Sequence, residues 1–417
     1  MVKRTFNNED RQHPLLKTKL YVPKPRNDLV LRLPLLKRLN NLVHHKLTLI
    51  SAPAGFGKTT LLIQWISQNE IPVAWVSLDK GDNDSVYFIK YVIEALQRVD
   101  PKVGEAAATL LQSPQLPPIE AIITSLIQEI EDISYDFALV LDDYHSIETA
   151  EIHQLVEFLI SHMPLQMHLV VATRVDPGFP LARLRVRSHL NEFRVSDLCF
   201  TKEEVAQFFN KVLKLDLSNQ DIAILESRTE GWVAGLQLAA LSMQGRRDIP
   251  GFIKAFAGDN HLIVDYLVEE VLYRQTSEVQ AFLLQTSILN RLSALLCDYV
   301  TGQQYSQKIL EDLERANLFL VPLDNQRRWY RYHHLFADLL RQRLQQKQTG
   351  MVSRLHLKAS EWFETNGFKA EAVEHALAAD ELERAAHLIE EYISAKWYGG
   401  GQVTLLKWLD ELPNEYK

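Results

Sequence analysis

The chain is 417 residues long and 47% hydrophobic, and its 45 Lys and Arg against 53 Asp and Glu give a net charge of −8. A length of this order accommodates roughly two to four domains with sizeable cores, and the acidic balance argues against a nucleic-acid-binding surface within these residues. The two cysteines, Cys199 and Cys297, lie far apart without metal-ligand spacing, which suits buried thiols in a reducing cytoplasm. The start, Met1-Val2-Lys3-Arg4-Thr5-Phe6-Asn7, runs into polar residues rather than an apolar core, so no signal peptide is read there. No apolar run approaches the length of a membrane span, and the expected location is cytoplasmic, without a membrane partner.

In chain order, short apolar strands are predicted at Leu47–Ser51, Val73–Ser77, Ala138–Leu141 and His168–Thr173, with a fifth near Glu192–Arg194. Amphipathic helices are predicted between them at 57–68, 84–98, 118–132 and 150–162. That alternation implies a parallel sheet covered on both faces, an α/β P-loop NTPase domain over residues 1–200 with an N-terminal extension. Thr201-Lys202-Glu203-Glu204 reads as a helix start, opening a small helical domain at 201–250. Residues 251–346 read as a winged-helix domain whose wing is Leu320–Leu323 and Trp329–Tyr332 around Asp324-Asn325. Residues 347–417 read as a helical-hairpin, TPR-like arm, with turns at Asn366-Gly367 and Ala379-Asp380 and a break at Gly399-Gly400-Gly401. Little polar capping is seen near Lys417, so a fragment of a longer protein is expected.

The chemistry begins at residues 47–60, Leu-Thr-Leu-Ile-Ser-Ala-Pro-Ala-Gly-Phe-Gly-Lys-Thr-Thr. A buried strand, a tight turn of small residues and a helix opened by Gly57-Lys58-Thr59 make a phosphate-binding loop. Backbone N–H groups of Ala54, Gly55, Phe56 and Gly57 and the helix start through Thr60 wrap phosphates; Lys58 supplies positive charge and Thr59 a hydroxyl for Mg²⁺. The usual pattern has glycine where this chain has Ala52; alanine is small enough, and Gly55 adds backbone freedom.

Further on, Phe137-Ala138-Leu139-Val140-Leu141-Asp142-Asp143 is an apolar strand ending in paired carboxylates. Asp142 is the expected partner of Mg²⁺, through a water, and Asp143 the group that orients or deprotonates an attacking water; the plain alternative is an acidic turn. The strand at His168–Thr173 ends in Arg174, placed to sense a γ-phosphate, although an arginine at a strand end is often only solvated. The cluster Arg174, Arg183, Arg185, Arg187 and Arg194 reads as a solvated face. His333-His334 has no Cys or acidic neighbour in sequence and reads as structural capping rather than a metal site.

Taken together these motifs resemble one family. Thr18-Lys19-Leu20-Tyr21-Val22-Pro23, Leu29-Val30-Leu31-Arg32, Ala54-Gly55-Phe56-Gly57-Lys58-Thr59-Thr60 and Leu141-Asp142-Asp143-Tyr144-His145 look like the MalT-type, LuxR-family ATP-dependent transcriptional regulators of the STAND class of signalling NTPases. Ala172-Thr173-Arg174, Pro180-Leu181-Ala182-Arg183-Leu184-Arg185, Leu198-Cys199-Phe200-Thr201, Glu230-Gly231-Trp232 and Tyr332-His333-His334-Leu335-Phe336-Ala337-Asp338 extend the likeness from about residue 15 to the end.

The resemblance implies ATP/ADP and Mg²⁺ as ligands, with Lys58, Thr59, Asp142 and Arg174 in the roles above. It implies that Arg32 helps line the nucleotide pocket and that His333 contacts the β-phosphate of ADP and locks a closed form. Where much of the family has a proline near the adenine, this chain has Val233. It further implies a closed ADP-bound monomer, an open form that self-associates with ATP and inducer, and slow hydrolysis as the reset. Inducer and DNA would be bound by regions C-terminal to this chain. The alternative is an AAA-type ATPase or another P-loop phosphotransferase in which steady turnover is the purpose.

Overall fold

The computed structural model describes residues 15–25, 29–113, 115–246, 248–258, 260–347, 349–396, 408–409 and 412–413. The N-terminal residues 1–14 and the glycine run at 399–401 lie outside them. The chain separates into two compact units, one of residues 1–199 with 207–215, the other of residues 200–206 with 216–417.

The first unit is built on strands β1 (Leu47–Ser51), β2 (Val73–Ser77), β3 (Phe137–Asp142), β4 (Met167–Thr173) and β5 (Leu190–Phe193). They form one parallel sheet in the order β2-β3-β4-β1-β5. Every residue of β1, β3 and β4 is buried. Their runs are apolar throughout rather than alternating because helices cover both faces of a parallel sheet. The connecting helices are α1 (Leu33–Asn40), α2 (Lys58–Ser67), α3 (Ser85–Leu96), α4 (Glu105–Leu111), α5 (Ile119–Glu131), α6 (Ala150–His162), α7 (Leu181–Val186) and α8 (Val195–Leu198). The four helices expected from periodicity are present; α4, α7 and α8 are too short to show a period. The sheet core packs Leu49, Val76, Leu139 and Val171 against Phe88, Ile122, Ile127 and Leu159.

The order of strands matters more for the site than their number. β4 lies between β1 and β3, in register Ser51↔Thr173 on one side and Leu141↔Val171 on the other. The carboxyl ends of all three therefore meet at one edge, where ligands bind in open α/β sheets.

The second unit is helical apart from a small wing. Thr201 and Glu204 bond reciprocally, side chain to amide, which starts α9 (Lys202–Ala206) with a capping box; a π-helical turn at Gln207–Val212, unforeseen from sequence, follows it and is grouped with the first unit. Then come α10 (Asn219–Thr229), α11 (Val233–Met243), α12 (Ile249–Ala255), α13 (His261–Glu270), α14 (Ser277–Thr286), α15 (Ala294–Thr301) and α16 (Ser306–Arg315). Strands β6 (Leu320–Pro322) and β7 (Tyr330–Tyr332) pair antiparallel as the wing. Asp324 holds the turn between them by accepting from the amides of Gln326, Arg328 and Trp329. The chain closes with α17 (His334–Lys347), α18 (Thr349–Thr365), α19 (Lys369–Ala378) and α20 (Leu382–Lys396), with the expected turns after Thr365 and Ala378. Ser360 of α18 donates to the Ala372 carbonyl of α19 at 2.8 Å, and Ala359, Ala372, Val373 and Ala376 give the hairpin a fully buried seam. No helix among the described residues is long and apolar enough to cross a membrane.

Candidate functional site

β1 ends at Ser51, and the loop to α2 is shaped by two left-handed glycines, Gly55 at φ 79° and Gly57 at φ 75°. A Cβ at Gly57 would meet nothing within 4 Å, so glycine is demanded there by backbone conformation, not by crowding. Ala52, the position that departs from the usual pattern, is wholly buried, and its carbonyl accepts from the Lys58 Nζ at 2.7 Å. The Pro53 carbonyl accepts from the same ammonium at 2.8 Å. Lys58 is itself buried, and burial, with the charge of Arg174 second, lowers its pKa to about 8. A buried cation whose hydrogen bonds go to neutral carbonyls, with the charges of Asp143 and Asp142 compensating it only in part, is ready for an anion.

Thr59 and Asp142, 83 residues apart, meet at the top of the sheet: the threonine hydroxyl lies 3.1 and 3.0 Å from the two carboxylate oxygens. Burial and the neighbouring charge of Asp143 raise the Asp142 pKa to about 6. Asp143 takes a left-handed conformation at φ 55° and stays about half exposed, so consecutive carboxylates face different surroundings. A hydroxyl beside a buried carboxylate, on the residue that directly follows a buried lysine, is a donor set suited to a Mg²⁺–phosphate pair. Among the described residues no three His, Cys, Asp or Glu side chains form a metal cage.

These pKa directions set a pH window. Below about pH 6 Asp142 takes up a proton and loses its charge for a cation; above about pH 8 Lys58 loses the proton that attracts phosphate. Affinity for Mg²⁺–nucleotide is therefore expected to peak between those values, as titration calorimetry across the range can show. Asp142→Asn should flatten the acid limb alone, and a flat wild-type profile would contradict the assignment.

Arg174 follows β4 directly, and its charge reaches Lys58. Arg32 is buried in the same unit. Its guanidinium donates to the carbonyls of Leu198 at 2.7 Å, Cys199 at 2.8 Å and Asp197 at 3.2 Å, capping the end of α8.

Val233 and His333 belong to the second unit. Val233 opens α11, immediately after a turn in which Glu230 and Gly231 are both left-handed. Arg331 forks onto the Glu230 carboxylate at 2.8 and 2.7 Å, and the His334 amide donates to it at 2.9 Å. Burial alone would raise the Glu230 carboxyl, but these donors and the His333 ring hold it at about 2. His333 Nε2 lies 2.8 Å from the Thr229 carbonyl, so that nitrogen carries the hydrogen. Its Nδ1 is buried with no hydrogen-bond partner among the described residues. Burial lowers the pKa of this ring against the pull of Glu230. The sequence motifs around Glu230 and His333 are thus two halves of one clasp.

The reading of the arginine cluster as a solvated face needs correction. Arg183, Arg185 and Arg187 are exposed, Arg185 while forking onto Glu192, but Arg194 is partly buried and pairs with Glu192 and Asp176. Asp176 also accepts from the buried Ser51 hydroxyl at 2.7 Å. Asp176-Pro177-Gly178 reads locally as no more than a turn, because nothing near it in sequence reports Ser51 at the end of β1 or Arg194 just beyond β5.

The MalT winged helix domain matches residues 268–352. The HTH-type transcriptional regulator MalT of Serratia proteamaculans is 36% identical over 404 residues, 96% of this chain and 44% of that protein. The serine/threonine-protein kinase PknK of Mycobacterium tuberculosis is 34% identical over 403 residues, 96% of this chain and 36% of that protein. The chain thus spans less than half the length of either relative. Among solved structures, a Walker-type ATPase of Pyrococcus abyssi shares the fold with a TM-score of 0.52 at 16% identity, covering 76% of this chain and 97% of that one.

Proposed function

This chain belongs with the MalT-type P-loop regulators, and from that premise we propose that it is the nucleotide-operated switch of a larger, signal-responsive regulator. The observation that carries the reading is the convergence of Lys58, Thr59 and Asp142 at the carboxyl edge of the sheet. The glycine turn offers backbone N–H groups to phosphates, Lys58 offers charge, and Thr59 with Asp142 offers the oxygen side of a Mg²⁺ site. Bound Mg²⁺ would neutralise charge between the outer phosphates. Asp143, the more exposed of the two carboxylates, is assigned to orienting the attacking water, and Arg174 to reading the third phosphate.

In this proposal the ADP-loaded protein is a closed monomer. ATP together with an inducer favours an open form that self-associates, and slow hydrolysis returns it. One phosphate shifts the equilibrium only by its differential affinity for the two forms. His333 is assigned as the residue that answers to ADP, and Val233 as an apolar contact for the base. Because the His333 Nε2–H is held by Thr229, the ring can offer a phosphate a second donor only by taking up a proton at Nδ1. Residues 201–250, 251–346 and 347–417 are assigned as the small helical domain, the winged helix and the arm. Inducer and DNA recognition are assigned to parts of a longer protein outside these residues, in the cytoplasm.

Two kinds of relative each match 96% of the chain, one named a transcriptional regulator and one a protein kinase. That favours a second reading in which the module controls an output other than DNA binding. The competing class, an ATPase whose turnover is the purpose, is separated by one measurement. A switch should purify with ADP and hydrolyse ATP more slowly than about 0.01 s⁻¹, against about 1–100 s⁻¹ for enzymes of the kinase kind. Fast steady turnover by the isolated chain would sink the switch.

A further inference from the structure

We propose that Asp176 is a positioning residue for Arg174, so that discrimination between ATP and ADP depends on a side chain that contacts neither nucleotide. The proposal rests on the nucleotide reading above and adds a residue that none of the motifs marks.

The segment that leaves β4 is fixed at both ends with Arg174 in between. At its start the Thr173 hydroxyl donates to the Val175 carbonyl at 2.7 Å, and the Val175 amide donates back to that hydroxyl at 3.3 Å. At its end Asp176 accepts from the Ser51 hydroxyl at 2.7 Å. Ser51 is the last residue of β1, and the next residue, Ala52, is bonded in both directions. Its amide donates to the Thr173 carbonyl at 3.3 Å, and its carbonyl accepts from Lys58. Two residues at the root of the phosphate loop thus hold both ends of the turn that carries Arg174, and the lysine as well.

On its other side Asp176 is the terminus of a charge chain. Arg194 pairs with Asp176 and donates to Glu192 at 2.6 Å, and Arg185 donates to Glu192 at 2.8 and 2.9 Å. The charges alternate and sum to zero, so each is compensated. Arg194 is anchored further by its amide, which donates to Asp197 at 2.8 Å, and Asp197 pairs with Arg38 at 2.6 Å. Removing the Asp176 carboxylate would take one partner from the buried Ser51 hydroxyl and one from the partly buried Arg194 guanidinium at once. The turn would then relax, and Arg174 would lose its fixed approach to the loop. A displacement of about 1 Å in a positioning group is enough to cost up to about a hundredfold where geometry is demanding.

The two phosphate groups of ADP are assigned to the loop and Lys58, whereas the third phosphate of ATP is the one assigned to Arg174. Affinities for Mg²⁺–ADP and for a non-hydrolysable Mg²⁺–ATP analogue should therefore part company in Asp176→Ala. The expected result is an analogue weakened by about tenfold and ADP changed by less than about threefold. The Asp176→Ala/Arg174→Ala double variant should be no worse than Arg174→Ala alone, as for two residues acting through one contact. Equal loss of both ligands, no loss of either, or effects that simply multiply would overturn the proposal. Should Asp176→Ala fail to fold, Ser51→Ala and Arg194→Gln each remove one of its partners and carry the same test. The nucleotide reading fails separately: wild type that binds neither ligand, or Lys58→Ala that binds both unchanged, overturns that reading whatever Asp176 does.

Discussion

Lys58→Ala should purify without nucleotide and bind ADP at least about a hundredfold more weakly than the wild type, measured by titration calorimetry and by extraction of bound nucleotide. The ammonium is buried, its contacts are the carbonyls of Ala52 and Pro53, and burial lowers its pKa to about 8. Neutral carbonyls compensate a desolvated cation only in part, and a phosphate completes the compensation. Truncating one partner of such a pair costs about 3–5 kcal/mol, because the other charge is left unpaired. The same bookkeeping separates lost binding from lost folding. Alanine takes a desolvated and only partly compensated charge out of the nucleotide-free protein, so its melting temperature should hold or rise. A variant that still retains stoichiometric ADP would contradict the phosphate-loop assignment.

Asp142→Asn tests the other half of the site. Asparagine keeps the shape and can still accept from Thr59, but it carries no charge for a cation. The wild type should bind nucleotide about tenfold more tightly with Mg²⁺ than with EDTA, and the variant should show no difference. Its hydrolysis rate should fall by about a hundredfold, the order expected when a preorganised electrostatic contact is removed. Because burial and Asp143 hold the Asp142 pKa up at about 6, wild type assayed near pH 5 should approach the variant. Retained Mg²⁺ dependence in Asp142→Asn would move the cation to another carboxylate, with Asp143 next in line.

Residue identity and spacing alone specified a good deal. The runs at 47–51, 73–77, 137–142 and 167–173 are apolar because both faces of a parallel sheet are covered, and that continuity is visible in one dimension. Gly57-Lys58-Thr59 announces its own conformation, since the loop needs left-handed backbone and then a helix start. The wing was equally legible, because Asp324 makes its turn with neighbours two to five residues away.

Strand order was not legible. Nothing between residues 51 and 167 states that β4 inserts between β1 and β3, yet that insertion puts Arg174 at the same sheet edge as Lys58 and Asp142. Partners distant in sequence stayed equally hidden. Asp176 looked like a turn residue until Ser51 and Arg194 closed on it, and Arg194 looked solvated until it acquired two carboxylates. Arg32 and Glu230 are similar, one capping a helix 166 residues away and the other holding Arg331 101 residues on. Local backbone preference and hydrophobic period are written in short windows, and so are the elements and motifs that follow from them. Buried polar groups must find partners wherever the fold brings them, so the connections among those motifs were decided only by tertiary structure.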